Sequence, residues 1–392
     1  MSIAGHDTGH YLKAARQLAA SVSVNADRID SERQIPPELA GEMADQGLFR
    51  LLLPRSLGGA ELDHPDFLRI LEIFAEADAS TAWSMNQVNV FSTNSVRMPE
   101  QTAREIWSEQ RAVVTNGPPT SSCRAVPVDG GGGYRLSGRW NFSSGSTMAT
   151  WIAALTPIQH LDQGPNGPAV KEAPRIMLVP RKDVKFIDSW QVHGLRGTGS
   201  FSFEAEDLYV PRTRTFDQTV MTSREDGPLY AMPRTTLFGS GFATVALGIA
   251  RASLATAIDL AGTKTPGRST TLLRDQYTTH RLLGEAEAIW HSAKAFLNNS
   301  ASRVWESACK NRALSDQERI QFRLACTHAI RMAARVVDIS YGLCGSGAIF
   351  ATSPIQRRFQ DMHVIIQHIQ GSPTHYETAG QFLLGLEPPG NF

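Results

Sequence analysis

Hydrophobic and polar positions follow two different rhythms along this chain, and the rhythm changes twice. Leu12, Ala15, Leu18, Ala19 and Val22 recur at the three- and four-residue spacing of a helix with one buried face. Pro36 and Pro37 open a second helix, which Gly47 ends. The run 48–54 then reads as extended and enters a turn at Leu57, Gly58 and Gly59. A third helix starts near Asp63 and Pro65, buries Phe67, Leu68, Leu71, Phe74 and Ala75, and continues through 82–89, where amides and an aromatic mix into the apolar pattern. From Val113 to Pro211 the runs become short, β-branched or aromatic, and punctuated by Gly, Pro and Ser. Strands are expected over 112–115, 124–128, 134–142, 151–156, 175–179, 185–190 and 202–210, with a surface loop over 159–173. After Thr235 long helical repeats return, over 242–261, 272–308 and 315–343, followed by shorter ones over 354–368 and 373–384. Long helices joined by short connections predict an antiparallel bundle. The chain therefore divides into an N-terminal helical domain over 1–111, a compact β-domain over 112–234, and a C-terminal helical bundle over 235–392.

Composition narrows the class. Lys plus Arg equal Asp plus Glu, 38 against 38, so no global field recruits nucleic acid or an acidic membrane. No apolar stretch reads as long enough to cross a bilayer, and Met1 to Asp7 lack the basic and apolar segments of a signal peptide. Cys123, Cys309, Cys326 and Cys344 show neither a Cys-x-x-Cys pair nor metal spacing and read as buried thiols in a reducing compartment. A cytoplasmic protein with no metal site is expected. The dinucleotide glycine fingerprint, the phosphate-cradling loop, His-Glu-x-x-His and Gly-x-Ser-x-Gly are missing from the sequence, which disfavours nicotinamide, ATP, zinc and a serine nucleophile.

One stretch concentrates the candidate chemistry. Gly138-Arg139-Trp140-Asn141-Phe142-Ser143-Ser144-Gly145-Ser146 follows a glycine-rich turn and leads into the apolar strand beginning at Trp151. Alone it reads as a hairpin with a Ser-Ser-Gly turn. It also offers what a planar heteroaromatic cofactor requires, an aromatic wall beside hydroxyl groups.

With three further patterns, that stretch resembles the acyl-CoA dehydrogenase superfamily. They are Gly194-Leu195-Arg196-Gly197-Thr198-Gly199-Ser200, then Tyr341-Gly342-Leu343-Cys344-Gly345-Ser346-Gly347, then Pro354-Ile355-Gln356-Arg357-Arg358-Phe359-Gln360-Asp361. Their order spans nearly the whole chain. The resemblance implies an acyl-CoA dehydrogenase-like α+β fold with a barrel-like central β-domain, a flavin, and a homotetramer in which Gly345 and Gly347 meet a neighbouring subunit's flavin.

Departures from the pattern select a branch. A dehydrogenase of this type needs a carboxylate to take the proton α to a thioester carbonyl. Neither 362–371 nor 251–255 holds one, and the first acid after Asp361 is Glu377. The stretch 142–145, the ending 379–388 and His368 instead resemble the group D, two-component flavin-dependent monooxygenases, the branch of 4-hydroxyphenylacetate hydroxylase, dibenzothiophene monooxygenase and indole-type oxygenases. That resemblance implies reduced FMN or FAD delivered by a separate NAD(P)H-dependent flavin reductase. It also implies O₂, a flavin C4a-hydroperoxide, and transfer of one oxygen atom to a small phenolic or indolic molecule. Ser144 would hold the flavin N5–H, with Ser143 and Gly145 in backbone contact and Trp140 and Phe142 as apolar wall. Arg274, read as opening the long helix, would bind cofactor phosphate.

His368 would stand beside the peroxide as base, acid or anchor. It lies seven residues after Asp361, nearly on one face if both are helical. Trp83, Asn86 and Gln367 are further substrate-pocket candidates. His193, His363 and His375 read as structural, and Arg196 as a brace within the β-domain. Three alternatives remain: an amine N-oxygenase on the same fold, an acyl-CoA dehydrogenase-type desaturase, and a non-catalytic assembly protein.

Overall fold

The computed structural model describes residues 8–387 except 161–172, 218, 220, 221 and 268. Most of the expected 159–173 loop, and Pro388 of the C-terminal motif, lie outside the described residues. The N-terminal domain consists of α1 (Thr8–Val24), α2 (Ala26–Glu32), α3 (Pro37–Asp45), α4 (His64–Ala77), α5 (Ala79–Ser92) and α6 (Glu100–Trp107). The stretch expected to continue α4 is a separate helix. Asp78 leaves the helical region at φ −155° and caps α5, its carboxylate accepting from the Thr81 N–H at 2.7 Å and the Thr81 hydroxyl at 2.8 Å. α5 is buried on nearly every side, so its amides serve the interior.

Among the described residues eight strands follow: β1 (Val114–Gly117), β2 (Arg124–Pro127), β3 (Gly133–Ser143), β4 (Trp151–Thr156), β5 (Arg175–Pro180), β6 (Lys185–Ile187), β7 (Phe201–Pro211) and β8 (Thr215–Asp217). β8 escaped the sequence reading because three residues carry no periodic signal. The expectation of a barrel is corrected. The strands form two separate four-stranded sheets, ordered β1-β4-β5-β8 and β2-β3-β7-β6, packed face to face across Leu136, Trp140, Ile152, Met177 and Phe203. Strand β3 loses register with β7 between Trp140 and Ser143, and Phe142 there adopts φ +55°.

The bundle contains α7 (Pro228–Ala231), α8 (Arg234–Ala261), α9 (Tyr277–Asn311), α10 (Asp316–Cys344), α11 (Pro354–Ile365) and α12 (Thr374–Leu383). Contrary to expectation, α8 is long and apolar enough to cross a membrane, but most of it is buried at the centre of the bundle. Its apolar character belongs to a core helix that contacts α4, α5 and α10. Cys309 corrects another expectation: it is exposed near the end of α9, while the other three cysteines are buried.

The domains lock together at the loop preceding β7. The Leu195 N–H, from a residue at φ +51°, donates to Asp361 Oδ1 of α11 at 2.6 Å. Arg196, expected to brace the β-domain, donates to the Val192 carbonyl of that domain at 3.2 Å and also reaches the N-terminal domain, donating to the Asp30 carbonyl at 3.2 Å and pairing with its carboxylate at 3.3 Å. A Cβ on Gly194 would lie 2.3 Å from the Gln360 carbonyl oxygen, a backbone atom that cannot step aside. We expect Gly194→Ala to lower stability by about 1–3 kcal/mol through overpacking, read as a fall in the thermal midpoint, with Gly267→Ala, which meets nothing within 4 Å, as the neutral control.

Candidate active site

The three domains each place a side chain in one cluster. Trp83 of α5 stacks on Phe242 of α8 with ring centroids 3.8 Å apart and planes inclined by 21°. Phe238, one turn earlier on α8, extends the stack at 6.0 Å. His368 stands edge-on to both larger rings, 5.1 Å from Trp83 and 4.9 Å from Phe242. The Trp83 indole N–H donates to Ser144 Oγ at 3.2 Å. The cluster is thus an aromatic wall contacted by a hydroxyl and by an imidazole.

Ser144 is held from several sides. Its carbonyl accepts from Thr115 Oγ1 of β1 at 2.5 Å, and its hydroxyl pairs with Ser200 at 2.8 Å. Gly145 follows at φ +76° and donates its N–H to the Thr198 carbonyl at 2.8 Å. Ser143 is fully buried, and its hydroxyl has no partner among the described residues. Asn86 is also fully buried; its Nδ2 reaches the Phe238 carbonyl at 3.4 Å, while Oδ1 has no partner among the described residues. Buried polar atoms without partners are costly and occur where a ligand or water completes them.

The register break in β3 separates its two aromatics. Trp140 was expected to share the apolar wall, but it is fully buried between the sheets, stacked on Phe203 at 5.1 Å, with its N–H on the Leu155 carbonyl. Phe142 is 61% exposed and meets Trp190 edge-on at 6.0 Å. Of the two, Phe142 is the one free to line a cleft.

His368 does not share a helix with Asp361. Helix α11 ends at Ile365, and His368 caps a short 3₁₀ turn at Ile369–Gly371 in extended backbone. The Gln370 backbone N–H can only donate, and it meets His368 Nδ1 at 3.4 Å. The ring proton of a neutral imidazole therefore sits on Nε2. Burial, with the Arg323 guanidinium adding, pushes His368 down to about 4, so it is neutral near pH 7. Arg323 is itself buried and donates to Gln370 Oε1, tying this turn to α10.

The remaining candidates are dispersed. Gln367 is exposed. Arg274 lies on a 3₁₀ turn, Leu273–Asp275, ahead of α9 rather than on it, and faces Asp275 at 3.8 Å. Gly345 and Gly347 are exposed at the end of α10, where Lys264 Nζ donates to the Cys344 carbonyl at 2.5 Å. His363 pairs with Asp338 at 3.0 Å, and His375 with the Thr327 hydroxyl at 2.8 Å. Residue-by-residue reasoning passed over Phe238, Phe242, Thr198 and Ser200. The last two sit inside a motif already singled out, but nothing in their spacing showed that they point at Ser144. A separate cavity of about 180 Å³ between α4, α8 and α9 is bordered by Glu72 and Lys294 and includes none of the cluster.

Residues 8–107 match the acyl-CoA dehydrogenase N-terminal domain and residues 240–373 the acyl-CoA dehydrogenase C-terminal domain. The chain belongs to the acyl-CoA dehydrogenase superfamily. Among its curated relatives, the indole-3-acetate monooxygenase of Pseudomonas putida is 28% identical over 92% of this chain and 90% of its own length. The FADH(2)-dependent resorcinol hydroxylase oxygenase component of a Rhizobium species is 26% identical over 94% of this chain and 92% of its own length. In fold, the HsaA monooxygenase of Mycobacterium tuberculosis superposes with a TM-score of 0.88 at 24% identity, over 98% of this chain and 99% of that one. Two of these are named as monooxygenases and the third as an FADH(2)-dependent hydroxylase, the curated ones for aromatic substrates.

Asp361 gives the site a testable pH signature. Burial pushes its carboxyl up to about 7; the Leu195 N–H opposes, the charge on Asp78 adds, and Arg357 opposes. A folded-state value above the unfolded one, about 4, means that the folded protein holds the extra proton. This group's contribution is therefore fully present below about pH 4 and is lost as pH rises through about 7. Asp361→Asn should remove that part of the decline, which denaturant titrations at pH 5 and pH 8 would read. An unchanged difference between the two pH values would mean that Asp361 is ionised throughout.

Proposed function

We propose that this chain is the oxygenase component of a two-component monooxygenase. It takes up reduced FMN or FAD from a separate NAD(P)H-dependent flavin reductase and oxygenates a small aromatic or heteroaromatic molecule of the phenol or indole class. One atom of O₂ enters the substrate and the other leaves as water, the two electrons coming from the reduced flavin. The observation that carries this reading is the cluster itself, in which Ser144 bonds to the Trp83 indole and His368 stands edge-on to the Trp83–Phe242 stack. Sequence relatives named as monooxygenases of indole-3-acetate and resorcinol support the substrate class. The lack of a carboxylate over 362–371 argues against α-proton abstraction.

The residues present suit a flavin. The unpartnered Ser143 hydroxyl, the Ser144 hydroxyl, and the exposed Phe142 beside a positive-φ glycine give polar contacts next to apolar surface. Bound there, the reduced flavin would supply the electrons that activate O₂. Ser144 would hold the ring edge, and Phe142 would cover a face. Trp83 and Phe242, stacked and buried, would keep water from the reacting atoms. His368, neutral with its proton on Nε2, donates a hydrogen bond to an oxygen of the substrate or oxidant rather than taking a proton. Asn86 Oδ1 offers an acceptor to a substrate N–H or O–H.

The homotetramer is part of the same proposal. Exposed apolar side chains flank the glycine turn and α12, among them Ile349, Phe350, Leu383, Leu384 and Leu386. A contact between subunits would cover them and bring Gly345 and Gly347 to a neighbour; light scattering of the purified chain tests the mass. Arg274 would then meet cofactor phosphate, and the cytoplasm would supply the reductase.

The deciding experiment supplies the protein with a flavin reductase, NADH, FMN or FAD, and either resorcinol or indole-3-acetate, and measures hydroxylated product against hydrogen peroxide. We expect product from the wild type. His368→Ala should lose at least 100-fold of it, while His368→Gln, which keeps a donor near the Nε2 position, retains a larger share. No imidazole titration should appear in kcat/KM between pH 6 and 8. A histidine acting as base would leave the two variants equally impaired.

A further inference from the structure

The Ser144 hydroxyl terminates a chain of hydrogen bonds whose direction can be worked out atom by atom. At its far end is the Leu195 carbonyl, which can only accept. Thr198 Oγ1 lies 2.8 Å from it, too close for two acceptors, so the Thr198 proton points at Leu195. The Trp190 indole N–H also donates to this carbonyl, at 3.0 Å, which confirms its accepting role. Thr198 Oγ1 is 2.7 Å from Ser200 Oγ and has already committed its single proton. Ser200 must therefore donate to Thr198. Ser200 Oγ is in turn 2.8 Å from Ser144 Oγ and has no second proton, so Ser144 must donate to Ser200. The Ser144 oxygen keeps two lone pairs, and the Trp83 N–H occupies one. Leu195, Thr198 and Ser200 lie on one loop and Ser144 on the turn after β3, all four buried, and the carbonyl at the far end fixes the direction of the chain.

We propose that Thr198 and Ser200 are positioning residues that fix Ser144 as a hydrogen-bond acceptor, so that the site prefers the reduced over the oxidised flavin. The inference rests on the flavin reading above. A reduced flavin carries a proton on N5 and needs an acceptor. An oxidised flavin has a bare N5 and needs a donor, which the committed Ser144 hydroxyl cannot provide. The anchor is a main-chain carbonyl, which does not itself titrate.

The test measures binding of oxidised and reduced FMN and FAD under argon by ultrafiltration, together with the midpoint potential of the bound flavin. We expect the wild type to bind the reduced form more tightly. Thr198→Val removes the hydroxyl at nearly constant shape and lets the Ser200 proton turn toward Ser144, freeing the Ser144 proton for N5. Ser200→Ala frees the same proton by removing its acceptor, and it carries the test if Thr198→Val does not fold. In both variants the ratio of reduced to oxidised affinity should fall about tenfold, equivalent to a potential lower by about 30 mV for a two-electron couple. Thr198→Ser should restore the wild-type ratio. Parallel loss of both affinities, with the ratio unchanged, would show a structural role only and overturn the inference. Equal affinity of the wild type for both forms would overturn it as well. A wild type that binds neither form would instead overturn the flavin reading itself.

Discussion

A buried carboxylate meeting a backbone N–H is the constraint on which the rest of this site depends. Asp361 comes from the helical bundle and Leu195 from the β-domain, and their 2.6 Å hydrogen bond holds Leu195 in the left-handed region. That conformation turns the loop so tightly that Gly194 lies against α11 and Gly197 against Ile29 of α2. The Leu195 carbonyl then faces Thr198, and through Thr198 and Ser200 it reaches Ser144. One contact between domains therefore determines both where the β-domain sits and which way a hydroxyl points some residues distant.

The imidazole of the site depends on a second junction of the same kind. His368 caps a 3₁₀ turn rather than extending α11, and Arg323 of α10 holds that turn through Gln370. The guanidinium does two things at once. It fixes the geometry that places the imidazole edge-on to Trp83 and Phe242, and its charge helps keep the imidazole neutral. A histidine on the continuous helix suggested by its spacing from Asp361 would have had a different direction and no such neighbour.

Much of the fold was legible because burial imposes period on long elements. The α-β-α order, the long bundle helices and most strands follow from apolar spacing alone. Short elements and irregularities were not. The three residues of β8 are too few to show alternation, and Asp78 caps a new helix inside an apolar run that looks continuous. The aromatic pair in β3 is the sharpest case. Trp140 and Phe142 are two residues apart, which puts them on one face of a regular strand, yet a bulge at Asn141 and Phe142 sends one ring into the core and the other toward solvent. Ser144 and His368 were visible through motif resemblance. Phe242 and Ser200 were not, because contact between residues distant in sequence leaves no periodic trace in either segment.

The two polar side chains of the site share a design that bears on its chemistry. Ser144 has its direction set by a carbonyl through two hydroxyls, and His368 has its tautomer set by a backbone N–H. Among the described residues, no charged partner is hydrogen-bonded to either side chain. A carboxylate beside the imidazole would raise its basicity and make a proton acceptor of it. A desolvated imidazole with Arg323 nearby is driven the other way, toward a neutral donor. A desaturase must remove a proton from carbon and needs a base there. An oxygenase must hold a polar substrate dry and oriented while oxygen transfer proceeds. The arrangement of backbone-directed donors and acceptors around an aromatic wall answers the second requirement and fails the first.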